Sequence, residues 1–132
     1  DDLWVDGDHV DPKHGKKVFD EEKKAAKKLM HAIKEIEKKE MCTDVRAILL
    51  GAINDLIAAD RQLVDVVLDE VEALLPVPDE KAAEKVDKEM LKVDKELEKV
   101  ADELYDEDYD KAIDHYKKAW EHVQHALKHV AK

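Results

Sequence analysis

The stretch DHYKKAWEHVQHALKH, residues 114 to 129, holds His115, His122, His125 and His129, four of the seven histidines in the protein. Imidazoles this dense suggest metal or haem ligation. A haem or di-iron bundle needs ligands aimed inward, however, and the Glu-x-x-His pairs of carboxylate di-metal bundles occur nowhere in the chain; nor does Cys-x-x-Cys-His. At about 100° per residue the apolar seam of this segment fixes a core direction. His115, His122 and His129, spaced seven apart, fall well away from it and are expected to face water. His125 and His129 stand four apart, a spacing at which two imidazoles reach one Zn²⁺ or Ni²⁺. If the end of the last helix lies beside the start of the first, His9, Asp8, Asp11 and His14 come to the same end of the molecule. The metal set read from the sequence is therefore His9, His14, His125 and His129, with any zinc or nickel adventitious and no cofactor otherwise expected. The competing reading is a solvated histidine face in which Asp11 caps a helix and the imidazoles favour a helix C-terminus.

Other chemistry is thinner. The N-terminal aspartates fail the calcium-loop pattern: with Gly7 as the loop glycine, Trp4 falls on a ligand position and Lys13 on the closing glutamate. Asp60 and Glu70 fall within an apolar arc and are expected to be buried polar residues, each needing a partner, because an unpaired buried carboxylate costs several kcal/mol. For Asp60 the expected partner is Tyr116, Trp120 or a lysine of the first helix. No nucleophile or glycine-rich loop accompanies these acids, so the reading is non-enzymatic, with no catalytic residue assigned. Cys42 reads as a small half-buried hydrophobe.

The elements that must position these groups are helical. Glycine and proline number three each, too few to punctuate a chain of short strands, while 43% charged and 44% hydrophobic residues are the combination of long amphipathic helices. Asp11-Pro12 opens a first helix over about 12–39, with a seam of Val18, Ala25, Leu29, Ile33 and Ile36 and a weak point at Gly15. Thr43 caps a second helix to about 75, stopped by Pro76 and Pro78. Asp79 caps a third over 79–104, with seam Ala83, Val86, Met90, Val93, Leu97, Val100 and Leu104. The fourth covers 109–131, with seam Ile113, Tyr116, Trp120, Val123, Leu127 and Val130. Short connections predict one all-α domain over 1–132, an antiparallel up-down-up-down four-helix bundle.

The second helix carries two apolar stripes. Val45, Leu49, Ala52, Leu56, Ala59, Leu63 and Val66 make the expected core face; Leu50, Ile57, Val64, Leu68, Val71 and Leu75 lie roughly 100° around from it. Three covers compete for this second stripe: an N-terminal strap of Leu3, Trp4 and Val5, a homodimer or protein-partner interface, and a small-molecule pocket.

A net charge of −11 without a separate basic block repels a nucleic-acid backbone, so no nucleic-acid partner is expected. Asp55, Asp60, Arg61, Asp65 and Asp69 interrupt the longest apolar runs, so no membrane span is expected either. With no basic, apolar signal region at Asp1, the chain reads as a mature form or an excised domain.

Two resemblances bear on this. Tyr109-Asp110-Lys111-Ala112-Ile113, then Tyr116, then Ala119-Trp120, is similar to the second half of one tetratricopeptide repeat. Glu107 and Asp108 stand where that repeat has glycine, and no second copy lies one repeat length upstream, so neither an array nor its peptide groove is inferred. The pattern LWVDGDHVDPKHGKKVFDEEKKA followed by a bundle resembles uncharacterised helical domains of secreted or surface bacterial and archaeal proteins, which implies an extracellular or cell-surface setting. The functional expectation is a non-enzymatic module for protein–protein contact or scaffolding. The alternatives are a metal- or small-ligand-binding module at the histidine-rich end and a designed or consensus scaffold. Against the last, Gly15, Gly51, Cys42 and the mixed face of helix two break idealisation rules.

Overall fold

The computed structural model describes residue 9, residues 11–38 and residues 43–130, except the side chain of residue 43. Among these it has four helices and no strand: α1 (Lys16–Lys38), α2 (Thr43–Ala73), α3 (Glu80–Tyr105) and α4 (Tyr109–Val130). The expected strap Leu3, Trp4 and Val5, the ligand Asp8, Cys42 and the capping side chain of Thr43 lie outside the described residues.

The helix ends follow local chemistry. Asp11 does accept main-chain hydrogen bonds, from His14 at 3.2 Å and Gly15 at 2.6 Å, but it closes a separate turn. α1 begins only at Lys16, later than expected, because Gly15 is a poor residue from which to propagate a helix. Asp79 caps α3 through its side chain, which accepts the Ala82 N–H at 2.8 Å. α3 ends in a Schellman arrangement, with Asp108 N–H on the Glu103 carbonyl at 2.8 Å and Glu107 N–H on that of Leu104 at 3.1 Å. Glu107 takes the left-handed conformation there, φ 61°, a place usually held by glycine.

α4 is the hub. Among the described residues it packs against α1, α2 and α3; α1 and α2 pack on each other, and α3 packs on α4 alone. The apolar arc of α4 is wide enough for this: Ile113, Tyr116, Trp120 and Val123 are buried as expected, and so are Ala112, Ala119 and Ala126, seven apart. Small residues at these places let helix backbones approach closely. α3 has a single narrow buried seam, Val86, Val93 and Val100, and so needs only one neighbour. α2 and α3, adjacent in sequence, are instead separated by a groove of about 290 Å³, lined by Arg61 and Asp65, by Leu97, Val100 and Leu104, and by Tyr116. Cross-helix ion pairs Lys16–Glu121, Lys117–Asp20 and Lys23–Asp114 ascend on α1 as they descend on α4, so these two helices run in opposite directions.

Two seams differ from expectation. In α1 the buried positions are Phe19, Ala26 and Ile33, one residue round from Val18 and Ala25. Phe19 meets Trp120 with ring centroids 5.6 Å apart, and a large aromatic contact of this kind sets the helix rotation. In α2 the core line is Ile53, Ile57, Asp60, Val64, Val67 and Val71, spaced by four and three, with Leu63 beside it. The stripe expected to face the core is thus mostly flank: Val45 and Ala59 are exposed, and Leu49, Ala52, Leu56 and Val66 half-buried. Conversely, of the stripe assigned to a partner or dimer interface, Ile57, Val64 and Val71 belong to the bundle's own core, Leu50 and Leu68 pack half-buried against it, and only Leu75 is exposed. Contact with both α1 and α4 consumes the second stripe. No described helix is long and apolar enough to cross a membrane.

Candidate metal centre

The α3–α4 contact sets glutamates against histidines. Glu89, Glu96 and Glu103 recur every seven residues beside the valine seam of α3, and His115, His122 and His129 recur every seven beside the alanine line of α4. His115 Nδ1 lies 2.7 Å from Glu96 Oε2, its Nε2 3.9 Å from Glu103 Oε1, and His122 Nδ1 2.8 Å from Glu89 Oε2. These are the flanking polar pairs of a two-helix seam, with the numbers again ascending on one helix as they descend on the other.

At one rung a second imidazole joins. His125, three residues beyond His122, brings Nδ1 to 3.8 Å from the same Glu89 oxygen, with the two histidine rings 6.1 Å apart and nearly perpendicular. One ligand atom from each of Glu89, His122 and His125 lies within 4.8 Å of the others. Tetrahedral ligands about 2.0–2.1 Å from a zinc ion are about 3.3 Å apart, a separation within the span of this set. Two imidazoles and a carboxylate suit a borderline divalent ion and leave a coordination position open. Glu89 and His122 are half-buried while the His125 side chain is 53% exposed, which gives an ion access from solvent. Burial pushes the Glu89 carboxyl up, but hydrogen bonds from His122 and from Lys92, whose Nζ is 3.2 Å away, outweigh it and hold the group below the usual carboxylate range, ionised as a ligand must be.

The four ligands read from the sequence do not assemble. His9 bonds to Glu70 of α2; His14 folds back onto the side chain of Asp11 at 2.6 Å; His129 lies over the start of α3 beside Asp79, Lys81 and Lys85; His125 alone joins a cluster. The pairing of Lys16 with Glu121 does set the start of α1 beside the last turns of α4, but Glu70 takes His9 and Asp11 takes His14. Nor do His115 and His122 face open water: α3 covers that flank, because alanines invisible to a bulky-residue seam widen the buried arc of α4. Glu89 went unread. Its signal was the seven-residue glutamate repeat of α3, in phase with the histidine repeat of α4.

The two acids expected in the core differ. Glu70 is partly exposed, its side chain at 40%, and is paired with His9. Asp60 is buried completely, at 0%. Among the described residues neither Tyr116 nor Trp120 nor a lysine bonds to it; it faces a second carboxyl, Glu22 of α1.

The chain matches no family model, and no curated protein or solved structure matches it.

Proposed function

We propose that this protein is a helical-bundle module that binds a divalent transition metal, zinc or nickel, between α3 and α4. The observation that carries the reading is the convergence of Glu89, His122 and His125 at one rung of that seam. The role is binding and structural: among the described helices α3 packs on α4 alone, so an ion bridging the two would fasten α3 to its one neighbour. Thermal unfolding and calorimetric titration test it. After chelator treatment, added Zn²⁺ at about a hundred times its dissociation constant should stabilise the fold by about 2.7 kcal/mol. His125→Ala, a change at an exposed side chain, should abolish the effect, and His115→Ala should leave it intact. No zinc or nickel response in the unsubstituted protein would end the proposal.

A second reading, contact with a protein partner or a second copy, is favoured by the exposed apolar residues at the start of α2, Ile48 at 70% and Val45 at 44%. Its test is the molar mass by light scattering with chelator present. A dimer that Ile48→Lys converts to monomer supports it, and a monomer at high and low concentration counts against a second copy.

A further inference from the structure

Three buried carboxyl oxygens have no hydrogen-bond partner among the described residues: Oδ1 and Oδ2 of Asp60 and Oε2 of Glu22. Asp60 interrupts the apolar line of α2 between Ile57 and Val64, and Glu22 interrupts that of α1 between Phe19 and Ala26. The acids thus meet where α1 docks on α2. From α4, Tyr116 faces the same region, near enough to feel the charge of Asp60; Arg61 and Asp65, exposed on α2, act on that tyrosine. Among the described residues the groups governing the two carboxyls are each other, and no lysine or arginine takes part. Two ionised carboxylates in such a place would suffer both desolvation and mutual repulsion, whereas one proton supplies the donor that both lack.

We propose that Glu22 and Asp60 form a proton-binding site inside the bundle: the pair retains at least one proton while α1 is docked on α2, and losing the last one loosens that junction. Burial first, then the neighbouring Glu22 carboxyl, push Asp60 up to about 10, and burial pushes Glu22 up as well. With folded-state values raised, the stability linked to these protons is fully present below the ordinary carboxyl range and declines as pH rises towards about 10. Each proton kept only by the folded chain changes the unfolding equilibrium constant by up to about tenfold per pH unit across that window.

Urea unfolding of the full chain between about pH 6 and about pH 9, with chelator present to keep the histidine site empty, tests the proposal apart from the metal reading. Relative to Asp60→Asn, which keeps the shape but removes the charge, the unsubstituted protein should lose stability steadily with pH, and Glu22→Gln should reduce that loss. Infrared spectra at about pH 8 should contain a protonated-carboxyl carbonyl band, weakened by Glu22→Gln. Parallel stability curves for the unsubstituted and Asp60→Asn proteins would overturn the proposal. Should Asp60→Asn fail to fold, absence of the infrared band from the unsubstituted protein overturns it by itself.

Discussion

If α4 is the hub of the bundle, its alanines cannot grow. Ala112, Ala119 and Ala126 are all fully buried, at 0%. Ala119→Leu would add three carbon atoms where none fits, and overpacking of this kind costs about 1–3 kcal/mol. Leucine is nearly as good a helix former as alanine, so the helix itself is indifferent to the change and the loss reports tertiary packing. A chain of this size shifts by roughly 3–6 °C per kcal/mol, so the midpoint should fall by about 10 °C for a central cost of about 2 kcal/mol. Far-ultraviolet circular dichroism during heating, with urea unfolding for the free energy, measures it. Ala58→Leu, at an exposed position of α2, is the control and should stay within about 0.5 kcal/mol of the parent. If Ala119→Leu unfolds within that same margin, or if the control falls equally far, the close packing around α4 argued above is refuted.

Two further outcomes follow from local geometry. Glu107→Gly should stabilise the protein by about 0.5–1 kcal/mol in urea unfolding. Relief of the left-handed backbone is worth about 1–2 kcal/mol, and the greater freedom of glycine in the unfolded chain offsets part of it. Asp114 sits 3.3 Å from Lys23; burial pushes its carboxyl up, but the bond to Lys23 and the charges of Lys118 and Lys117 hold it below the usual range. A depressed value contributes stability above the ordinary carboxyl range that is lost as pH falls through the folded-state value. In acid titrations followed by circular dichroism, the stability advantage of the unsubstituted protein over Asp114→Asn should therefore shrink between about pH 5 and about pH 3.

The candidate centre was legible in part. A dense histidine run with metal-ligating spacing is visible in residues 114 to 129, and His125 does join the cluster. Its companions were not legible, because which glutamate meets which imidazole depends on the register of α3 against α4. Glu22 was not legible for a related reason: it stands on the apolar face of α1, four residues after Val18 and three before Ala25, but a seam read from apolar residues passes over an acid, and its meeting with Asp60 depends on how α1 docks on α2.

What the sequence by itself determined is local. Capping at Asp79, the breaks around Pro76 and Pro78, and apolar spacings of three and four are properties of single segments, and they were sufficient for four helices and an all-α bundle. Tertiary structure decided which face is inside wherever a helix offers more than one. A helix with one apolar stripe, such as α3, has one answer; α2 has two stripes, and α4 has a line of alanines that hydrophobicity barely registers. For those, burial depends on how many neighbours a helix has and how closely they approach. That is why Asp60 meets Glu22, and why His122 meets Glu89 instead of water.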